Sequence, residues 1–380
     1  MDPAQPHRHG APAARVLQVV LSLHPGGTER LVVELARRLH AELPMAVCCL
    51  DEAGAWASEL AAAGIAVTAL GRTPGFHPGL GRGVAAAADA HGATVLHAHH
   101  YSPFVYAAIA RLRGTHRRVI FTEHGRLSDA GPSPKRRMAN RLLRAAASRV
   151  FAVSNDVGRH LVAEGFRADQ VGVIYNGIDT GALPAPDDRN RVRAALGVSA
   201  NTLVVGTVAR LDPVKNLGSL VEAIALLAPR RDACLVIIGD GPEMRSLTET
   251  AAALGVTGRV TFLGHQDDAR RWLAGLDVFV NASTSEGVSL TILEAMAAGL
   301  AIVATAVGGT PEVLNESSGR LVPARNPAAL SAAIGALADD PGLRATLGRA
   351  ARQRVEAHFT LDRMVRQYAD VYRGTLNSEL

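Results

Sequence analysis

Aromatic residues make up only 4% of this chain, cysteines number three, and no uncharged stretch is long enough to cross a bilayer. Each scarcity removes a class of function. So few rings leave little to stack on bases, which argues against a nucleic-acid binder despite a net charge of +5. Cys48, Cys49 and Cys234 sit in apolar, strand-like runs without metal-ligand spacing. An odd number of thiols in a chain this long also speaks against a disulfide framework, so a reducing cytosol is the expected compartment. The longest uncharged stretch, Ala295 to Pro311, is broken by Gly299, Gly308 and Gly309 and is short for a membrane span. The apolar run Val16 to Leu23 contains Gln18 and has no small-residue cleavage site after it, so it reads as a first buried strand rather than a signal-peptide core. No acidic D-x-D pair and no G-x-x-x-x-G-K-[ST] loop are present, so neither a metal ion nor a P-loop is expected.

What the chain does have is rhythm. At 380 residues it exceeds one ordinary core and suits two domains. Short apolar runs alternate with helical patterns, as in parallel sheets built from βαβ units. The first half offers strands at 15–22, 45–50, 65–70, 94–97, 118–123, 149–153 and 171–174; the second at 204–208, 234–238, 260–263, 278–281 and 301–304. Between them, Asn176-Gly-Ile-Asp179 and a Pro/Asp/Ala-rich stretch to Asn190 read as a linker. This places an N-terminal domain at 1–182, with residues 1–14 expected to be disordered, and a second domain at 183–358. Doubly wound sheets bind ligands beyond their strand C-termini, so two such domains would share one cleft.

Charge is uneven. Between Arg111 and Arg149 stand eleven Lys/Arg against Glu123 and Asp129 alone. Within it, 135–149 follows Pro132 and Pro134 and reads as a helix. Met138, Leu142 and Ala146 form a narrow apolar stripe, and Lys135, Arg136, Arg137, Arg141 and Arg144 crowd the remainder. Two readings stay open: a solvated helix packed on the domain by that stripe, or a patch that meets an anionic membrane or an acidic acceptor.

The sharpest segment runs from Ser283 to Gly299. A strand ends near Asn281, a polar loop carries Glu286, and a helix starts at Val288 or Ser289. Its first N–H groups can hold a phosphate. Glu286 and Glu294 then suit sugar hydroxyls, unless they are simply a helix-start and a surface carboxylate. Arg210 and Lys215, five residues apart at another strand end, can neutralise a diphosphate; the alternative is a solvated loop. Gly239-Asp-Gly241-Pro-Glu243, Phe262 and Gly264 fit the wall of a nucleotide pocket. In the first half, Gly26 and Gly27 let backbone approach a ligand, Thr28 suits a helix cap, and His124 follows a strand next to Gly125. His97, His99 and His100 lack nearby Cys or carboxylate partners in sequence and read as cleft lining or surface rather than a metal site.

Taken in order, these residues resemble glycosyltransferase family 4. The resemblance rests on Gly26-Gly27-Thr28-Glu29, Thr122-Glu-His124-Gly125, Val153-Ser154, Asn176-Gly-Ile-Asp179, Arg210-x4-Lys215-Asn216, Gly239-Asp-Gly-Pro-Glu243, Phe262-Leu-Gly264, Glu286-x7-Glu294 and Val307-Gly-Gly-Thr-Pro-Glu312. It implies an α/β GT-B fold: two Rossmann-like doubly wound domains facing across a central cleft, with a final segment, 359–380, crossing back to the first. It also implies a retaining transfer from a nucleotide-diphosphate-sugar to a glycan or lipid-linked acceptor, without cofactor. Arg210 and Lys215 would hold the diphosphate, and Glu294 the ribose. Glu286 and His124 would contact the transferred sugar. Backbone at Gly27 and at Gly287, Val288, Ser289 and Leu290 would line the phosphates. Ala301 departs from the pattern, where relatives often carry Pro, and lies behind the site. The tract Glu286 to Glu294 is similar to members from bacterial exopolysaccharide clusters; the expected location is cytoplasmic, and peripheral on the inner face of the membrane if the basic helix meets lipid. Two rivals fit the same motifs: a sugar-nucleotide epimerase, which needs no acceptor, and a non-catalytic sugar-nucleotide or glycan binder.

Overall fold

The computed structural model describes residues 14–114, 116–125, 131–181 and 188–377. The expected disorder of the N-terminus and most of the loose linker, 182–187, lie outside the described residues. Seven strands form the first sheet: β1 (Val16–Val20), β2 (Met45–Cys49), β3 (Ala66–Ala69), β4 (Val95–His99), β5 (Arg118–Glu123), β6 (Ala147–Ala152) and β7 (Val171–Val173). They pair in parallel in the order β3-β2-β1-β4-β5-β6-β7. The second sheet holds β8 (Leu203–Val208), β9 (Ala233–Ile238), β10 (Val260–Phe262), β11 (Val278–Asn281), β12 (Ala301–Thr305) and β13 (Arg320–Val322). It too is parallel, in the order β10-β9-β8-β11-β12-β13.

Helices cover these sheets, so central strands are buried along their whole length. β1, β2 and β4 have no exposed residue. That is why they read as unbroken apolar runs rather than alternating ones. The helix Gly27–Leu39 buries Leu31, Val32, Val33, Leu35, Ala36 and Leu39, the face its periodicity announces. The helix Leu361–Asn377 lies in the N-terminal core, where Leu361, Met364, Val365, Tyr368 and Tyr372 join a cluster containing Val16, Leu35 and Met45.

Strand order reverses between β1 and β4 in one sheet, and between β8 and β11 in the other. Such switch points leave a crevice beyond the strand ends. The four strand-to-helix connections that open there, with the first turn of the helix Gly27–Leu39, carry His24 to Glu29, His100, Ala209 to Asn216, and Ala282 to Ser289.

Two expectations need correction. β13 carries no pattern of its own, being three residues paired only at the sheet edge. The basic helix, Pro134–Leu143, is turned the other way. Met138 and Leu142, which one of the two readings packs on the domain, are 71% and 79% exposed, and the side chain it buries is Asn140. The Asn140 amide donates to the Glu164 carbonyl (2.9 Å) and accepts from the Tyr101 hydroxyl (2.8 Å). A polar side chain with both ends satisfied can anchor a helix as an apolar one would.

Candidate active site

On the C-terminal side, the Lys215 ammonium lies 2.7 Å from Glu286 Oε1. The same oxygen accepts from Ser283 Oγ at 2.7 Å and from Asn281 Nδ2 at 3.2 Å. Glu286 is buried, so these donors hold its charge in place of water. Its loop is fixed from behind by Gly308, where φ is +54° and an added Cβ would lie 1.8 Å from the Glu286 carbonyl oxygen. Only glycine fits there. Eight residues on, Glu294 bonds the Arg270 guanidinium at 2.9 Å. Burial pushes the Glu294 carboxyl above its ordinary value, and Arg270, with the charge of Arg30, offsets this only in part. Between the two carboxylates, Ser289 caps the helix Leu290–Ala297 by accepting from Ile292 N.

Arg210 is mostly exposed and pairs with its neighbour Asp212. Its charge, with those of His100 and His24, is felt by Glu29 of the first domain, whose pKa burial nevertheless raises. The domains touch directly. A Cβ on Gly27 would meet Leu290 at 3.6 Å, and one on Gly287 would fall 2.1 Å from the His124 carbonyl oxygen. The Asn176 amide donates to Val288 O at 3.0 Å. Gly26 is approached by the Glu29 carboxylate, the mobile end of a side chain, 2.2 Å from where its Cβ would be. The turn Gly239 to Glu243 lies against the Arg210 loop: Gly239 (φ +135°) would drive a Cβ into Ala209 O, and Gly241 into Leu211. Gly239 also donates to Gly264 O (2.8 Å), which brings Gly264 beside the same turn, whereas half-buried Phe262 packs against the hydrophobic core of the second domain rather than lining a pocket.

On the N-terminal side, His124 Nε2 lies 2.9 Å from His99 Nδ1. Burial pushes His97, His99 and His124 well below the ordinary histidine value, and charge on neighbouring rings adds to it, so all three are neutral imidazoles. His100 differs. Burial lowers it too, but the Glu123 carboxylate at 2.8 Å and the charge of Glu29 outweigh that and leave its pKa raised.

The structure therefore brings Lys215 against Glu286, His124 beside Gly287 and Gly27 against Leu290, with Arg210 on the loop that leads to Lys215 and Glu294 on the helix that Ser289 caps. It also corrects two sequence readings. His97 and His99 are core residues, not cleft lining or surface, because the strand that carries them is central. Arg136 and Arg144 are scaffold residues. Arg136 lies 3.9 Å over the Tyr101 ring and pairs with Glu164, and Arg144 donates to Gly165 O. Glu123 and Glu312 stand in the quoted motifs without a role assigned to them, and Arg270 was not singled out. Arg270 stands in an exposed acidic-basic tract whose spacing carries no signal. No group of three or more His, Cys, Asp or Glu among the described residues could hold a metal ion.

Comparison with known proteins adds two matches of domain size. Residues 25–182 match a family model described as Glycosyltransferase Family 4, and residues 202–340 one described as Glycosyl transferases group 1. The chain is 27% identical to N-acetyl-alpha-D-glucosaminyl L-malate synthase of Bacillus anthracis, over 75% of this chain and 76% of that protein. It is 36% identical to D-inositol 3-phosphate glycosyltransferase of Salinispora tropica, over 63% of this chain but only 54% of that protein. Among solved structures, Anabaena HepE in complex with UDP superposes with a TM-score of 0.85 at 27% identity, covering 95% of this chain and all of that one. The same protein has been solved with UDP-glucose, at a TM-score of 0.84.

Proposed function

With its two halves matching the two domain models of one family, the chain belongs to the family 4 glycosyltransferases with the GT-B fold, and on that premise we propose that it moves a hexose from a UDP-hexose to a glycan or lipid-linked acceptor with retention of configuration. The observation that carries this is the Lys215–Glu286 pair at 2.7 Å, beside a capped helix N-terminus at a sheet's switch point. Lys215 and Arg210 supply positive charge for a departing diphosphate, and the free N–H groups after Ser289 supply donors. Glu286 and Glu294 supply charged acceptors for hydroxyls. A UDP leaving group is supported by the HepE complexes. On this reading the departing phosphate oxygen takes the acceptor proton on the same face, so the protein's part is positioning and charge stabilisation, and no step calls for a metal ion.

Calorimetry and turnover separate the two carboxylates. Glu294→Ala should weaken binding of UDP itself by about 10- to 150-fold, the loss of one charged hydrogen-bond partner. Glu286→Ala should bind UDP nearly as before and lose release of UDP from UDP-glucose. Loss of UDP affinity in Glu286→Ala instead would exchange the roles. A wild-type protein that binds neither UDP nor UDP-glucose would refute the donor.

The basic helix supports a lipid-linked acceptor in cell-surface polysaccharide or glycolipid synthesis, at the inner face of the membrane. Lys135, Arg137 and Arg141 are exposed beside the equally exposed Met138 and Leu142, an arrangement suited to anionic headgroups with shallow apolar insertion. No helix of the described residues is long and apolar enough to cross a membrane. Three cations near such a surface give about 3 kcal/mol. Binding to phosphatidylglycerol vesicles should be reversed by high salt and lost in the triple change Lys135→Glu, Arg137→Glu, Arg141→Glu. Indifference of the wild type to those vesicles at low salt would end the membrane reading.

A further inference from the structure

Behind His124 the N-terminal domain buries an unbroken chain of hydrogen bonds that reaches the C-terminal helix. His124 Nε2 meets His99 Nδ1 at 2.9 Å, and His99 Nε2 meets Gln18 Oε1 at 2.7 Å. The Gln18 amide nitrogen meets the Tyr372 hydroxyl at 3.0 Å, which in turn meets His97 Nδ1 at 2.7 Å. His97 Nε2 meets Thr122 Oγ1 at 2.8 Å, and Thr122 meets the Tyr368 hydroxyl at 3.2 Å. Gln18, His97, His99, Thr122 and Tyr372 are at most 1% exposed. Polar groups so deep are costly unless every proton finds its acceptor.

Each bond uses one proton, so fixing one direction fixes them all. Gln18 Nε2 also lies 3.9 Å from Met45 Sδ. A thioether sulfur only accepts, so the group facing it is the amide NH2, and the amide oxygen faces His99. His99 therefore donates from Nε2, and its bare Nδ1 accepts from His124 Nε2–H. Tyr372, accepting from Gln18, donates to His97 Nδ1; His97 donates to Thr122, and Thr122 to Tyr368. His124 is left with a lone pair on Nδ1, and that atom is buried without a hydrogen-bond partner among the described residues.

We propose that Gln18 and His99, held by Tyr372 of the C-terminal helix, are positioning residues that keep His124 as a hydrogen-bond acceptor for a hydroxyl of the transferred sugar. This rests on the reading above that His124 meets that sugar. No carboxylate of the described residues enters the chain, so among them the ring is oriented without being made a stronger base. Glu123, the nearest one, engages His100 instead. In the opposite tautomer Nδ1 would present a proton, and a hydroxyl donating to it would lose its acceptor. The helix that crosses between the domains thus reaches the site through protons as well as packing.

Ring-nitrogen NMR on the full chain without substrate reads the tautomer directly, with the His124 signals identified by their loss in His124→Ala. The wild type should show Nε2 protonated and Nδ1 bare. His99→Leu should give a mixture or the reverse, and lower UDP-glucose turnover about tenfold or more in kcat with KM nearly unchanged. His99→Asn, whose amide oxygen can stand where Nδ1 stood, should keep the tautomer and most of the turnover. Tyr372→Phe should behave like His99→Leu, more mildly. A protonated Nδ1 in the wild type, or an unchanged tautomer and kcat in His99→Leu, overturns the proposal. Wild-type turnover in His124→Ala would overturn the sugar contact instead, a separate outcome from the tautomer.

Discussion

Replacing Lys215 by alanine should lower UDP-glucose turnover by about 10²- to 10³-fold, the scale lost when one preorganised partner of a developing anion is removed. The ammonium has two duties. Without donor it neutralises Glu286 at 2.7 Å; with donor it must also meet the diphosphate. Breaking a buried pair by removing one partner commonly costs about 3–5 kcal/mol of stability. Here the cost should be smaller, because Ser283 and Asn281 still donate to the same oxygen. A cycle with Glu286→Ala separates the duties. If Lys215 only held Glu286, the double variant would be no worse than Glu286→Ala alone. Further loss in the double variant places Lys215 on the donor. Wild-type turnover in Lys215→Ala removes it from the site. Arg210→Ala should also cut turnover but leave the melting temperature unchanged, since Arg210 is mostly exposed and pairs only with Asp212 among the bonds described.

Most of this architecture is legible in the chain because parallel strands are buried on both faces and announce themselves as apolar runs. The strand cores from β1 to β12 stand where those runs stand, even at edge strand β3, which is mostly exposed; β13 does not, because Arg320-Leu321-Val322 is three residues long and opens on a charge, too short to form an apolar run. The cleft residues were legible for a different reason. Arg210, Lys215, Glu286 and His124 each follow a strand end, so fold position and chemistry pointed the same way. What failed was orientation. Met138 and Leu142 define an apolar stripe, but periodicity says only that a face exists, and Asn140 decided which face turned inward. Pairings between distant segments were hidden too: nothing near Arg270 indicates Glu294, and nothing near Gln18 indicates Tyr372.

Glu312 shows how such a hidden pairing can join the two domains. It lies on the short helix Thr310–Val313 of the second domain, and its carboxylate accepts from Asn155 N (2.8 Å), Asp156 N (3.0 Å), Asn155 Nδ2 (2.8 Å) and Tyr175 OH (2.8 Å), all of the first. Asn155 and Asp156 begin the helix Asn155–Ala163, so the anion also meets the positive end of that helix. Burial alone would push the Glu312 carboxyl up, but these bonds outweigh it and hold it below the ordinary value of 4.5. Stability from a depressed carboxylate is present above its unfolded pKa and is lost as pH falls through the folded value. The domain contact should therefore hold at neutral pH and loosen only below about 4.5. Each hydrogen bond to a charged group contributes about 1.5–3 kcal/mol, and solvent competition at this rim discounts the set to about two such bonds at the low end. On that basis Glu312→Ala should lower kcat/KM for UDP-glucose by about 100-fold. UDP binding, which the proposed function assigns to the second domain, should change little. Small-angle scattering should show a larger radius of gyration at neutral pH for Glu312→Ala, matching the wild type in acid. Glu312→Gln, which cannot ionise, should lose the acid-dependent part of the expansion. If the alanine variant keeps both the wild-type radius and the wild-type kcat/KM, Glu312 caps a helix and does not join the domains.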